Sequence, residues 1–273
     1  MTDRYCVVGN PIKQSKSPQI HAAFAQQCSQ DLDYTAELVD DDQFIDWVTA
    51  FFDGGGSGLN VTVPFKTEAF QFADELTPRA ELAGAVNTLA MQPSGKVLGD
   101  NTDGVGLVSD LKRLNWGIKE KKVLVVGAGG AVRGVLGPLL DELPELLVLV
   151  NRTSAKAELL ATLFPDNNNI QGGGYELMQD HSFDLVINGT SASLYGQLPP
   201  VPKSSFGDDC AVYDMVYSNQ PTAFMALAES FGVKHIADGI GMLVGQAAES
   251  FYLWRGVRPQ IDAVVEQLKQ STD

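Results

Sequence analysis

"KKVLVVGAGGAVRGVLGPLL", residues 121–140, decides the fold. An apolar run, Val123–Val126, leads into Gly127-Ala128-Gly129-Gly130, and a helix-compatible stretch follows. A buried strand, a glycine turn and a helix in that order open a nucleotide-binding βαβ unit. Gly127 permits the tight turn and Gly129 lets the backbone approach a pyrophosphate. The helix start offers N–H groups and the positive end of its dipole. The third glycine of the G-x-G-x-x-G fingerprint falls at Val132, so the motif is incomplete, and a ligand-free strand–helix turn is the plain alternative.

The next apolar strand, "LLVLV" (146–150), discriminates between cofactors. A unit that binds NAD carries a carboxylate near its end for the ribose 2′-hydroxyl. Here the strand runs into Asn151-Arg152-Thr153-Ser154-Ala155-Lys156, with no carboxylate. Arg152 and Lys156 flank the place of a 2′-phosphate, and Thr153 adds a hydroxyl. Cations at a helix start oppose the helix dipole, so an anionic ligand explains them better than solvent does. NADP is favoured over NAD. Strands at 184–188 and 211–216 continue the series, and their ends, "INGTSAS" (187–193) and "YDMVYSN" (213–219), fall where ligands of open α/β sheets bind.

Upstream, short strands again alternate with amphipathic stretches, the pattern of a second α/β domain. Strands are predicted at 4–9, 33–38, 58–63 and 85–90, and helices at 17–29, 40–53, 65–73 and 77–83. Ser17 reads as an N-cap with Pro18 at the first helical position, and Thr77-Pro78 repeats the device. In "GLNVTVPFK" (58–66), Leu59, Val61 and Val63 alternate with Asn60 and Thr62 as in a half-buried strand, which Pro64 ends. Residues 54–58 read as a flexible turn. "LGDNTDGVGL" (98–107) reads as a hinge-like junction, through Gly99, Gly104 and Gly106.

The 273 residues carry a formal net charge of −15, which repels nucleic acid and anionic membranes. An anionic ligand must therefore meet a local cluster of donors. Cys6, Cys28 and Cys210 are dispersed, and His21, His181 and His235 have no ligand spacing; no metal is expected, and the histidines read as satisfied or surface residues. With no leader or membrane-length apolar run, the chain is expected in the cytoplasm.

Polar residues of the first domain gather near strand ends. Ser15 and Ser17, with the N–H groups of a helix start, suit a carboxylate; Asn60, Thr62, Asn87 and Asp103 suit several hydroxyls. Singly each reads as a cap or turn residue; together they suggest a site.

"GNPIKQSKSP", "NVTVPFK", "AGAVNT", "GDNTDG", "GAGGA", "NRT" and "ADGIGMLVGQA", in this order, make the chain resemble the shikimate dehydrogenase family from about residue 4 to the C-terminal helix. The resemblance implies reversible NADPH-linked reduction of 3-dehydroshikimate to shikimate, in the pathway to aromatic amino acids. A quinate/shikimate dehydrogenase of wider substrate and cofactor scope is the alternative. It implies a two-domain α/β architecture with a cleft: residues 1–103 with 240–273 as the substrate-binding and catalytic domain, and 104–239 as a Rossmann-type NADP-binding domain. Lys66 and Asp103 would form the catalytic pair. Ser15, Ser17 and Tyr217 would take the substrate carboxylate, and Asn60, Thr62, Asn87, Asp103 and Gln246 the ring hydroxyls. Gly127, Ala128, Gly129, Gly130 and Ala131 would take the pyrophosphate, Asn151, Arg152, Thr153 and Lys156 the 2′-phosphate region, and Met215, Gly239 and Met242 the nicotinamide side. Two departures stand out: Val132 replaces a frequent hydroxyl residue, and Lys156 replaces an arginine fork with a point charge, with a relaxed NADP preference as the expectation. The implied partner is a small molecule, and the implied state is a monomer or homodimer.

Overall fold

Two six-stranded sheets carry the chain in the computed structural model, which describes residues 2–190, 198–218 and 220–270. It divides into one unit of Met1–Gly106 with Leu243–Gln267 and another of Leu107–Met242 with Leu268–Asp273.

The first unit's strands are β1 (Asp3–Gly9), β2 (Leu32–Leu38), β3 (Gly58–Val61), β4 (Glu75–Leu76), β5 (Thr88–Met91) and β6 (Val97–Asp100), in the order β2-β1-β3-β5-β6-β4. β5 runs antiparallel to β3 and β6, while the other pairs are parallel. Helices α1 (Ser17–Gln27), α2 (Phe44–Asp53), α3 (Lys66–Phe72) and α4 (Pro78–Ala83) belong to this unit. α5 (Asp103–Arg113) begins in it. Its core includes Val8, Phe44, Val48, Leu59, Val61, Phe65 and Leu89.

Several expectations change here. β3 ends at Val61, and all four of its residues are buried rather than alternating, because β1 and β5 flank it and both faces are covered. Val63 lies beyond the strand and is 61% exposed. Gly58 is no part of a flexible turn: it is a strand residue on which a Cβ would meet the Trp254 indole, and that indole donates to the Leu89 carbonyl at 3.0 Å. The strand predicted at 85–90 is β5, starting at Thr88, and Asn87 stands just before it. Residues 98–107 finish β6 and start α5, and the boundary between the two units falls within them, at Gly106–Leu107; the buried Gly99 is small because a Cβ would press on Ala73, Val86 and Leu76. The N-cap of α1 is Lys16, with Ser17 the first helical residue; Ser15 Oγ accepts from the Ser17 N–H at 3.3 Å. Thr77 does cap α4, accepting from the Ala80 N–H at 3.3 Å.

His21 is neither satisfied nor on the surface. It is fully buried, stacked on Tyr34 at 4.2 Å, and neither ring nitrogen has a hydrogen-bond partner among the described residues. Burial pushes its imidazole down to about 3.

The second unit holds β7 (Lys122–Val126), β8 (Leu146–Val150), β9 (Ile170–Gly173), β10 (Phe183–Asn188), β11 (Phe206–Asp214) and β12 (His235–Ala237). All are parallel, in the order β12-β11-β10-β7-β8-β9. Counted from β7 this is the 3-2-1-4-5-6 order of a Rossmann fold, whose ligand crevice lies at the reversal between β7 and β10. The helices α6 (Gly130–Asp141), α7 (Ser154–Ala161) and α8 (Ala223–Ser230) connect them. β11 begins earlier than the predicted 211–216 and ends at Asp214, which leaves Met215 just past the strand. Two C-terminal helices follow, α9 (Ile240–Arg255) and α10 (Asp262–Gln270).

Candidate active site

Within the first unit, β3 leads through Thr62 and Pro64 to Phe65, the N-cap of α3. Phe65 is fully buried and stacked on Phe44 at 4.8 Å, so the core itself fixes where α3 starts. Lys66 is its first residue, and the Val86 N–H bonds its carbonyl at 2.9 Å. From there Lys66 Nζ reaches Asp103 Oδ2 at 2.6 Å. Asp103 opens α5, where a carboxylate is favoured by the helix dipole.

Asn87 completes the cluster. Its Nδ2 donates to Asp103 Oδ1 at 2.8 Å, and its Oδ1 accepts from the Thr102 N–H at 2.9 Å. Gln246 on α9 brings Oε1 within 3.5 Å of Asn87 Nδ2 and 3.4 Å of Thr102 Oγ1. Lys66, Asn87, Asp103 and Gln246, far apart in sequence, thus form one hydrogen-bonded group. An ammonium held by an oriented carboxylate can give or take a proton at an adjacent oxygen.

Asn60 stands beside this group, its Nδ2 3.3 Å from the Asn87 main-chain carbonyl. Asn60 is 5% exposed and its amide is taken up by protein groups: Tyr34 Oη donates to Oδ1 at 2.7 Å, and Nδ2 donates to Ser250 Oγ at 3.0 Å and Thr88 Oγ1 at 3.1 Å. The Thr62 methyl lies where a Cβ on Gly9 would be. Ser15 and Ser17, at the start of α1, bond each other. Tyr217 belongs to the second unit, where burial raises its phenol above the usual range.

In that unit the glycine turn has an informative shape. Gly127 adopts φ +117°, strained for any side chain, and its N–H donates to the Val150 carbonyl at 2.7 Å. Gly129, the N-cap of α6, has φ −87° and ψ 179°, which any residue adopts. A Cβ on Gly129 or Gly130 would meet nothing within 4 Å. No neighbour excludes a side chain at either place, so the backbone there is open to a group outside the chain. This open cradle at a helix N-terminus fits a pyrophosphate. Val132, at the missing third glycine, is fully buried, and a Cβ on Gly189 would collide with it. Close packing of helix and strand is recovered by moving the glycine to the neighbouring strand's end.

At the end of β8, Asn151 Nδ2 bonds the Thr153 carbonyl at 3.0 Å. Thr153 is the N-cap of α7, yet its hydroxyl makes no capping bond. Arg152 and Lys156 are exposed, and no salt bridge engages either among the described residues. Two cations and a spare hydroxyl at one helix start fit a phosphate monoester. At the expected nicotinamide side, a Cβ on Gly239 would strike the Met215 carbonyl, and Met242 is 8% exposed. Ser191, Ala192, Ser193 and Asn219, the tips of the two strand-end segments singled out in the sequence, lie outside the described residues.

Sequence reasoning passed over several residues. Tyr213, fully buried, donates to Asp110 Oδ2 at 2.7 Å and accepts from the Met242 N–H at 3.1 Å. Gly241 is small because Asp110's carboxylate occupies the place of a Cβ. Asp214 links β10 and β11 through Asn188 at 3.0 Å and takes the Thr222 hydroxyl at 2.6 Å. The signal was a charged residue inside the apolar run "AVYDMV".

Three family models match: the shikimate dehydrogenase substrate binding domain over residues 7–89, shikimate / quinate 5-dehydrogenase over 110–196, and the shikimate 5′-dehydrogenase C-terminal domain over 239–269. A shikimate dehydrogenase (NADP(+)) of Cellvibrio japonicus is 55% identical over 270 residues, covering 99% of this chain and 98% of that protein. The chain belongs to the shikimate dehydrogenase family. A namesake from Vibrio atlanticus is 53% identical, over 99% of this chain and 98% of its own. Among solved structures, an Ael1 enzyme from Pseudomonas putida matches with TM-score 0.94 and 44% identity, over 97% of this chain and 98% of that one. The Thermus thermophilus shikimate 5-dehydrogenase, solved with NADP(H) and shikimate, matches with TM-score 0.86 and 29% identity, over 99% and 100%. Among the described residues, no helix of this family member is long and apolar enough to cross a membrane.

Proposed function

We propose that this chain is an NADP-dependent oxidoreductase acting on a CH–OH group, interconverting shikimate and 3-dehydroshikimate on the route to aromatic amino acids. The observation that carries the reading is the Lys66–Asp103 pair at 2.6 Å, with Asn87 on the second carboxylate oxygen, in a chain of this family. The first unit takes the substrate and the second the nucleotide. Ser15, Ser17 and Tyr217 hold the substrate carboxylate. Thr62, Asn87, Asp103 and Gln246 hold the ring hydroxyls, with Asn60, bonded inside the protein, supporting Asn87. Gly127 to Ala131 cradle the pyrophosphate, Asn151, Arg152, Thr153 and Lys156 bind around the 2′-phosphate, and Met215, Gly239 and Met242 line the nicotinamide side.

Bound NADPH supplies the hydride. The protein's part is to answer the negative charge that develops on the reacting oxygen. Lys66 Nζ stabilises that oxygen and passes it a proton, and the Asp103 carboxylate holds the ammonium on line. In the oxidation direction the same pair receives the proton. The three free cysteines suit a reducing compartment, and the reading places the protein in the cytoplasm, as a monomer or homodimer.

Following NADPH absorbance with shikimate and NADP⁺ tests the reading; no turnover would remove it. Quinate turned over as well as shikimate, or NAD⁺ used as well as NADP⁺, would replace it with the broader quinate/shikimate activity.

A further inference from the structure

Beneath the Lys66–Asp103 pair lies a set of buried polar groups joined by hydrogen bonds, with the amide directions fixed by groups that can only donate or only accept. The Thr102 N–H can only donate, so the Asn87 oxygen faces it at 2.9 Å. The Asp103 carboxylate accepts from Asn87 Nδ2, so the Asn87 amide cannot be turned over. Thr88 Oγ1 lies 2.9 Å from that same Asn87 oxygen, to which it can donate, and 2.8 Å from Ser250 Oγ. Thr88 accepts from Asn60 Nδ2 at 3.1 Å. The Asn87 main-chain carbonyl, which can only accept, lies 3.3 Å from Asn60 Nδ2, so Asn60 presents its oxygen to Tyr34 Oη, 2.7 Å away, and the phenol donates. Burial holds the Tyr34 phenol well above its ordinary range, which keeps that proton in place.

The result is a connected series, Tyr34 to Asn60 to Thr88 to Asn87 to Asp103, in which each member can donate toward the carboxylate that holds Lys66. Hydrogen bonds aligned in this way polarise one another in a low-dielectric interior, and a break leaves buried groups unpaired. The strands set the spacing: Asn60 and Thr88 are register partners across β3 and β5. His21, stacked on the Tyr34 ring, fixes where the series begins.

We propose that Tyr34 and Thr88 are positioning residues for this reaction, orienting Asp103, and through it Lys66, by way of Asn60 and Asn87. Neither touches substrate or cofactor on this reading, and the inference rests on the proposed shikimate dehydrogenase activity. Replacing the Thr88 hydroxyl by a methyl removes the middle of the series with little change of shape. The misdirected carboxylate then slows the proton step more than it weakens substrate binding.

The test compares wild type, Thr88→Val, Thr88→Ser and Tyr34→Phe, each checked for folding by circular dichroism and thermal melting. Rates are measured with 3-dehydroshikimate and NADPH, with and without deuterium at the transferred position. The expected result for Thr88→Val is a kcat about tenfold lower or more, with KM for 3-dehydroshikimate changed about twofold at most, and a larger deuterium effect on kcat. Thr88→Ser restores kcat. Tyr34→Phe keeps the ring on His21, loses the first donor together with the phenol's bond to Ser17, and lowers kcat about threefold; it carries the test if Thr88→Val does not fold. A folded Thr88→Val with wild-type kcat and isotope effect overturns the inference while leaving the activity standing. A loss of melting temperature with unchanged kcat also overturns it, since that is a structural role only. No wild-type turnover overturns the parent activity, and this inference with it.

Discussion

The two candidate binding regions are built on opposite plans. In the first unit the polar groups of the site are already bonded to one another: Lys66 to Asp103, Asp103 to Asn87, and Asn87 to Thr102. In the second unit they stand open, with Gly129 and Gly130 facing empty space and the Arg152 and Lys156 charges exposed. A preassembled site spends no ordering when chemistry occurs, which suits groups that must meet a reacting oxygen. An open cradle receives a long, flexible, multiply charged ligand by its backbone and phosphates, and leaves the ligand to complete the bonding.

The contrast predicts that substitutions in the first region act on rate or folding and those in the second on nucleotide binding. Lys66→Ala should have the largest effect, a kcat loss of about 10²–10⁴-fold with a smaller change in KM, read from NADPH absorbance. A variant that lost affinity alone would break the comparison. Arg79→Ala comes next. Arg79 Nε bonds Asp100 Oδ1 at 2.7 Å, and the Asp100 side chain is fully buried. Removing the cation leaves that carboxylate uncompensated, at a cost of about 3–5 kcal/mol in urea unfolding.

Arg152→Ala with Lys156→Ala should raise KM for NADPH about 10- to 100-fold and leave KM for NADH unmoved. An equal effect on both would mean the charges serve something other than the 2′-phosphate. His21 sharpens the contrast through pH. Its folded value, about 3, lies below the unfolded 6.5, so below pH 6.5 only the unfolded chain takes up the proton. Stability should fall by about 2 kcal/mol from this group between pH 7 and pH 5. Urea midpoints of His21→Phe should lack that dependence. Gly130→Ala, at the first helical position of α6, is the mildest on folding: stability is unchanged or rises by up to about 1 kcal/mol, while KM for NADPH increases. A clear loss of stability would show that the fold, and not a ligand, requires the glycine.

Much of this was legible in the sequence, for local reasons. The strand–glycine–helix order of "VLVVGAGGAV" is a local signal, and β7, Gly127 and α6 follow it. Thr77-Pro78 is equally local, and it caps α4 as read. Ser17 was misplaced by one residue, because Ser15 and Lys16 compete for the same turn. The alternation of Asn60 and Thr62 suggested a half-buried strand. What it lacked was the knowledge that Tyr34 and Ser250 of α9 lie against that face, which makes Asn60 an interior amide. Tyr34, Thr88 and Ser250 carried no local signal at all, since a hydroxyl on a strand or helix is unremarkable until its partner is known.

By itself, then, the sequence determined the alternation of strands and helices, the glycine turn after β7, the cationic end of β8 and the residue types of the candidate pair Lys66 and Asp103. Each depends on neighbours within a few positions, where backbone geometry and side-chain chemistry act directly. Only the tertiary structure decided how the polar groups meet: it brings Lys66 Nζ to the Asp103 carboxylate that the resemblance had paired with it, sets Asn87 on the other carboxylate oxygen, and links Asn87 through Thr88 and Asn60 to Tyr34. Burial removes water as the alternative partner, so each donor must find its acceptor across the fold, and that choice is made by packing rather than by sequence spacing.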